Sequence, residues 1–211
     1  MKPNFARLAL LGTTVLLSAA CSRLESQKTE VIASAPAPKV YSATEKIDGV
    51  WKGPCLPNEA ALTSQTQIKI ANGIMEVEQT RFLDTSCGER GMTVRTTFTA
   101  VLGAEREIPV GSNDLDLVSQ KIQYIVESDL IANLWTSQKW CGLEQWKMGE
   151  SIDVASKTCG ALELPATGFS MKGIVSADPN KVLFNEGFKG VPTEDLLDRV
   201  TTLQTNAYLK Q

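Results

Sequence analysis

The 211-residue sequence contains no histidine and no block of basic residues. Without histidine the chain can form no Ser–His–Asp or Cys–His couple, no zinc site with histidine ligands and no imidazole acid or base. A formal net charge of −3 without a basic block argues against nucleic acid as a partner. Glycine-rich phosphate loops, Gly-x-Ser-x-Gly and Ser-x-x-Lys motifs are also missing. The usual enzyme signatures are therefore absent.

The first twenty residues have the features of a secretory signal peptide. Lys2 and Arg7 give a positive start, and a mainly apolar run over residues 8–17 is followed by three small residues at 18–20. The run is too short to span a membrane comfortably and ends in a cleavage-type triplet. We therefore predict that residues 1–20 are removed, which leaves 191 residues with 19 basic and 24 acidic side chains and a net charge of −5.

Cys21 follows the predicted cleavage triplet directly. Ala19-Ala20-Cys21 resembles the lipobox of bacterial lipoproteins, although Ser18 stands where that pattern usually has Leu. The resemblance implies cleavage before Cys21 and acylation of its thiol, for example with palmitate. Ser22 resembles the version that is sorted to the outer membrane of Gram-negative cells. The alternative is ordinary cleavage after Ala20, which leaves a free cysteine.

The mature chain divides into a tether and one domain. Residues 21–46 contain few large apolar residues, and Pro36 and Pro38 favour extended backbone, so we predict a lipidated, disordered stalk. An edge strand at Val40 and Tyr41 is the alternative. Residues 47–211 show neither a repeat nor a second linker and are predicted to form a single domain.

From residue 47 onward apolar and polar residues alternate, as is typical of half-buried strands. Asn72-Gly73 predicts a hairpin turn. Further strands are predicted at 67–70, 75–83, 92–102, 115–126, 169–175, 182–188 and 203–209. In the strand at 115–126, Val118, Ile122, Tyr124 and Val126 are predicted to share one face, interrupted by Gln120. Seven or eight strands joined by short turns predict a mainly β fold, an antiparallel up-and-down barrel without exposed edges. A two-sheet sandwich would give nearly the same alternation and is the alternative.

Helical spacing occurs after residue 128. Ser128 or Asp129 can cap a short helix that ends before Cys141. Its apolar positions are Leu130, Ile131, Leu134 and Trp135. A second helical turn is predicted over residues 193–197.

Four cysteines remain once Cys21 is assigned to lipid: Cys55, Cys87, Cys141 and Cys159. An even number in an exported domain predicts two disulfides, for which three connectivities exist. Proximity in sequence favours Cys55–Cys87 with Cys141–Cys159. A four-thiolate metal site is the alternative, but the spacings lack a Cys-x-x-Cys pair and the compartment is oxidising, so no metal is expected.

Gly49-Val50-Trp51 places Gly-x-Trp at the start of the first predicted strand. This resembles the first signature of lipocalins and related calycin barrels, eight-stranded barrels whose Trp closes the floor. The resemblance implies that Arg199 packs over Trp51. Lipocalins, however, carry their helix near the end of the chain, whereas the predicted helix at residue 129 lies in the middle.

A second resemblance covers most of residues 47–211. The residues that carry it are Trp51, Cys55, Cys87, Cys141-Gly142, Trp146, Cys159 and Pro192-Thr193. With this spaced set the chain is similar to uncharacterised exported bacterial proteins that are predicted to be small lipocalin-like barrels. The resemblance implies a fold more than an activity.

Arg81 is predicted to share the apolar strand face with Met75 and Val77, whereas Arg95 lies on a polar face. An inward arginine in a barrel can bind a ligand carboxylate or phosphate. The structural alternative is an arginine at the barrel mouth, with its head group in water or paired with an acid.

Three tryptophans, Trp135, Trp140 and Trp146, surround the Cys141 loop. With Met148 they can form an entrance lid or a carbohydrate-stacking surface, and the alternative is a small core beneath a disulfide-stapled loop. The candidate ligand-binding residues are Arg81, Tyr124, Trp135 and Trp146.

The paired carboxylates, Glu76 with Glu78 and Asp114 with Asp116, are predicted to lie on solvated strand faces, so no catalytic residue is assigned. We predict a non-enzymatic outer-membrane lipoprotein, without cofactor, whose barrel binds a small apolar or amphipathic ligand. The alternative is an interaction module that contacts an envelope protein through its disulfide-stapled loops.

Overall fold

The computed structural model describes residues 46–58, 61–185, 188 and 202–211. This part of the chain contains one α-helix, α1 (Asp129–Ser137), and a 3-10 turn at Trp140–Gly142. In chain order the strands are β1 (Gly49–Lys52), β2 (Leu56–Asn58), β3 (Ala61–Ala71), β4 (Ile74–Phe82), β5 (Arg90–Glu105), β6 (Ser112–Val126), β7 (Ser151–Asp153), β8 (Thr158–Cys159), β9 (Leu162–Glu163), β10 (Ser170–Ala177), β11 (Lys181–Phe184) and β12 (Tyr208–Lys210).

Eight of these strands form a closed antiparallel barrel. The order around it is β1-β12-β11-β10-β6-β5-β4-β3, and pairing of β3 with β1 closes the ring. Outside the ring, β2 pairs with β3, β7 pairs with β6, and β8 with β9 forms a separate hairpin. The prediction of a mainly β barrel with one short helix is therefore confirmed, and the sandwich alternative is wrong because the strands form one closed ring.

The β3–β4 hairpin turns at Asn72-Gly73, as predicted. Both residues have positive φ, 53° and 75°, the conformation that a two-residue hairpin turn needs and that Asn and Gly adopt most easily. The turn sets the register in which Ala71 opposes Ile74, and this register puts Met75 and Val77 inside the barrel.

One predicted strand face is wrong. The sequence places Val118 on the same face as Ile122 and Tyr124, but Leu117 and Ser119 are the buried residues there. The β5–β6 pairing explains the difference, because Phe98 opposes Ser119 and Thr97 opposes Lys121, so Gln120 is an extra, bulged residue. A bulge shifts the alternation by one residue, and no polar or apolar pattern marks it in advance.

The last strand is shorter than predicted. β12 covers Tyr208–Lys210, whereas Leu203 makes only an isolated bridge with Asn185. The helix after residue 128 is confirmed, but the side chain of Ser128 makes no capping hydrogen bond. The predicted signal peptide, Cys21, nearly all of the tether with Val40 and Tyr41, the helical turn at 193–197, and Arg199 lie outside the described residues. No helix in the described ranges is long and apolar enough to cross a membrane.

The strand directions define two ends of the barrel. The end that carries the β3–β4, β5–β6 and β10–β11 turns is called the floor end. The opposite end, called the helix end, carries Cys55, the β4–β5 loop with Cys87, and the long connection between β6 and β10 that includes α1. Both disulfides, Cys55–Cys87 and Cys141–Cys159, therefore lie at the helix end, with the pairing that sequence proximity favours.

The floor end is filled by the barrel's own side chains. Trp51 is 1% exposed, its Nε1 donates a hydrogen bond to the Ile47 carbonyl at 2.8 Å, and Lys210 Nζ lies 5.4 Å from its ring centroid. The buried cluster around Trp51 includes Ile70, Met75, Phe98, Leu115, Met171 and Phe184.

Candidate ligand-binding site

A cavity of about 560 Å³ lies at the helix end. This volume falls within the range of about 300–1,000 Å³ that is typical of small-molecule sites. Its inner wall is formed by β4, β5 and β6, and its roof by α1, the 3-10 turn and the β8–β9 hairpin. The lining residues are Ala61, Arg81, Phe82, Leu83, Gly91, Met92, Tyr124, Ile131, Leu134, Trp135, Trp140, Cys159, Ala161 and Leu162.

Strand register explains the inner wall. Arg81 opposes Met92, and Tyr124 opposes Val94, all on the interior face of the barrel. The β6 strand extends beyond its neighbour, because β10 pairs only with residues 112–118 and the far end of β6 pairs with β7 instead. The interior face is therefore not covered by barrel strands here, and the β6–β10 connection covers it.

Helix α1 supplies one side of the roof. Ile131, Leu134 and Trp135 line the cavity, and their spacing of three and four residues places them on one helical face. Leu134 is still 45% exposed at the rim, whereas Trp135 is buried. The helix therefore turns its apolar face partly to the cavity and partly to the opening.

The aromatic residues of the roof form one stacked group. Trp135 stacks on Trp140 with ring centroids 5.6 Å apart and meets Trp146 edge-on at 4.8 Å. Tyr124 contacts the group from the inner wall, 5.7 Å from Trp135. Trp146 lies behind the lining, where its Nε1 donates to the Trp140 carbonyl at 3.1 Å. The predicted small core beneath the stapled loop is present, and two of its tryptophans also line the cavity.

Gly160 fixes how closely the β8–β9 turn approaches Trp140. Its φ is +65°, and a Cβ at this position would collide with the Trp140 ring, whose Cζ3 would lie only 2.8 Å away. Cys159 is bonded to Cys141, which follows Trp140 in the chain, so the disulfide holds the β8–β9 turn close to the indole. Gly160 allows this contact because it has no Cβ. The roof is therefore held at a defined height over the cavity.

Two buried N–H groups of the lining have no hydrogen-bond partner within the described part of the chain: Nε of Arg81 and Nε1 of Trp140. An unsatisfied buried donor costs about 1–3 kcal/mol. Burial raises the pKa of the Tyr124 phenol, and the positive charge of Arg81 opposes this rise. The cavity thus combines apolar walls with one cation and one neutral phenol, and the two unpaired N–H groups lie buried behind its surface.

The structure brings Arg81, Tyr124 and Trp135 together, whereas Trp146 supports the cavity from behind. Met148 is 56% exposed and is not a lining residue. Sequence reasoning misses Phe82, Met92, Leu134, Trp140 and Leu162 as lining residues. The sequence identifies Trp140 only as part of the tryptophan group, and its adjacency to Cys141 is the one signal that could have placed it in the roof.

The paired carboxylates lie on the outer face of the barrel. Glu78 accepts a hydrogen bond from Arg95 Nε at 2.6 Å, and Asp114 pairs with Arg106 at 2.9 Å. An acid neutralised by a neighbouring arginine on a partly exposed face is a structural ion pair. These carboxylates therefore do not contribute to the cavity.

Comparison of the sequence with protein-family models and with curated proteins gives no match to this chain. Any functional conclusion therefore depends on the geometry of the cavity.

Proposed function

We propose that this protein is an exported, non-enzymatic binding protein whose barrel holds a small amphipathic ligand at the helix end. The observation that carries the proposal is the 560 Å³ cavity, with mainly apolar and aromatic walls and a few convergent polar groups. Small-molecule sites have this composition, and the mouths of β-barrels are one of their usual places.

The ligand site lies near the mouth and does not extend down the barrel axis. Side chains such as Phe98 and Phe184, both fully buried, fill the interior of the floor half. A long chain inserted along the axis would have to displace this core, which cores resist because they are close-packed. A compact ligand, or a flexible one bent beneath the roof, fits the available volume.

The lining residues favour binding over catalysis. Among the described residues the lining includes no carboxylate, lysine, serine or threonine, and its cysteine, Cys159, is bonded to Cys141. A general acid–base pair or an activated nucleophile needs two such groups within hydrogen-bond reach. Tyr124 and Arg81 alone supply neither.

Residues 1–20 and Cys21 support an outer-membrane anchor for the binding domain in a Gram-negative cell. The apolar segment, the cleavage triplet and the thiol have the order that lipoprotein processing requires. Labelled palmitate should be incorporated into the wild-type chain expressed in such a cell and not into the Cys21→Ser variant. Equal labelling of both would contradict the anchor, and a Cys55→Ser/Cys87→Ser variant that is still labelled serves as the control for thiol loss elsewhere.

Binding of the neutral fluorescent probe N-phenyl-1-naphthylamine tests the proposed site. The chain carrying Cys21→Ser should bind the probe saturably at one site. Ala161→Trp places an indole at the mouth of the cavity and should weaken binding by at least about tenfold, equivalent to about 1.4 kcal/mol. Ala177→Trp, at an exposed position at the opposite end, is the matched control and should leave binding unchanged. Absence of binding, or equal loss in both variants, would contradict the proposal.

A further inference from the structure

We propose that the ligand of this cavity carries a single negative charge, a carboxylate, which the guanidinium of Arg81 binds. The inference rests on the proposed function and names the chemical class of the ligand. The apolar part of the ligand then lies against Met92, Trp135 and Leu134.

Arg81 differs from the other arginines of the described residues. Arg90 pairs with Glu127 at 2.8 Å, Arg95 pairs with Glu78, and Arg106 pairs with Asp114 at 2.9 Å. Arg81 has no carboxylate partner within these residues. It faces the barrel interior, whereas the other three arginines lie on the outer face or at its edge. The arginine in the least polar surroundings is therefore the one without a partner among the described residues.

A partly buried guanidinium without a carboxylate partner favours a bound anion. Removal of a charge from water is unfavourable unless an opposite charge and hydrogen bonds replace the hydration. The described lining contains no carboxylate, and Tyr124 stays neutral because burial raises the pKa of its phenol. A bound carboxylate would supply the missing charge and accept hydrogen bonds from the guanidinium in the planar geometry that suits an arginine.

The single charge follows from the count of cations. Arg81 is the one Lys or Arg among the described lining residues. A dianion such as an alkyl phosphate would bring a second charge of about −1 into mainly apolar walls without a second cation to meet it. A cationic amphiphile would meet the like charge of Arg81. The geometry thus selects a monoanion.

The test compares four ligands with the same ten-carbon chain: decanoate, decanol, decyl phosphate and decyltrimethylammonium. Displacement of N-phenyl-1-naphthylamine from the Cys21→Ser chain gives the affinities. Decanoate should bind at least about tenfold more tightly than decanol, the ratio expected for a hydrogen bond to a charged group. Decyl phosphate should bind more weakly than decanoate, and the cation most weakly.

Arg81→Gln should abolish the preference for decanoate while decanol keeps its affinity within about twofold. Arg95→Gln is the matched control, because it removes an arginine of the adjacent strand from the outer face, and it should retain the preference.

The outcomes separate this inference from the proposed function. Equal binding of decanoate and decanol by the wild-type cavity overturns the monoanion and leaves the proposed function standing. Tighter binding of decyl phosphate overturns the single charge. Failure of the naphthylamine probe to bind overturns the proposed function itself. The wild-type ratio of decanoate to decanol decides the head-group charge even if Arg81→Gln does not fold.

Discussion

At the scale of single residues, the contact between Gly160 and Trp140 determines the height of the roof. Gly160 combines a left-handed backbone with a ring directly against its Cα. Gly168 has a similar φ of +85°, but a Cβ added there would meet nothing within 4 Å. The two glycines therefore separate the cost of backbone strain from the cost of the ring contact.

Gly160→Ala should destabilise the protein more than Gly168→Ala does. The control carries only the cost of a left-handed alanine, about 1–2 kcal/mol. Gly160→Ala adds to this a steric cost of about 1–3 kcal/mol for displacement of the Trp140 ring. Urea unfolding of both variants measures the difference. Equal destabilisation would show that the indole yields freely and that the roof height is not fixed at this contact.

The position of Arg81 could be predicted from the sequence, but its lack of a partner could not. Alternation through Met75 and Val77 places residue 81 on the interior face, and the structure agrees. Whether a carboxylate meets it depends on side chains brought in from the β6–β10 connection, which no local pattern specifies. For the same reason the sequence predicts Trp146 as a contact residue, although it lies one layer behind Trp140.

At the scale of elements, the roof is an insertion between two barrel strands. It is attached mainly to β6: β7 pairs with β6 over three residues, the Gly149 and Val154 N–H groups donate to the Val126 and Ile122 carbonyls, and α1 packs against β5 and β6. The Cys141–Cys159 disulfide links its 3-10 turn to its β8–β9 hairpin. Within the described residues the β8–β9 hairpin pairs with no barrel strand, so the covalent link helps to keep the roof in one arrangement.

Cys141→Ser/Cys159→Ser should therefore reduce both stability and binding. Disulfides that close loops of 18 and 32 residues each contribute about 3–4 kcal/mol. Cys55→Ser/Cys87→Ser is the matched control: it should lose a similar stability in urea unfolding but keep its affinity for N-phenyl-1-naphthylamine under native conditions. If the roof variant binds the probe as tightly as the control, the roof does not form the site.

Elements with a local signal could be predicted, and those set by tertiary context could not. The Asn72-Gly73 hairpin and α1 follow from turn chemistry and helical spacing. The bulge at Gln120 and the extension of β6 beyond β10 depend on pairing between distant segments. The extension of β6 leaves the inner wall uncovered, so the sequence predicts the barrel without predicting where its cavity lies.

At the scale of the whole molecule, one end of the barrel is filled by its own side chains and the other end contains the cavity. The floor end holds Trp51 and the large buried core, whereas the helix end holds both disulfides, the aromatic roof and the cavity. The absence of histidine fits this division, because a site that binds through shape and one guanidinium needs no proton transfer. Under the proposed function, the filled core and the ligand site therefore lie at opposite ends of the barrel.

The location of the bound ligand is the central claim, and the indole N–H signals of the four tryptophans test it most directly. In a ¹⁵N-labelled chain titrated with N-phenyl-1-naphthylamine, the signals of Trp135 and Trp140 should shift saturably. The Trp51 signal should not move, because this indole is buried at the floor end and bonded to the Ile47 carbonyl. A shift of Trp51 without a shift of Trp140, or no shift of any indole at saturating probe, would contradict the account.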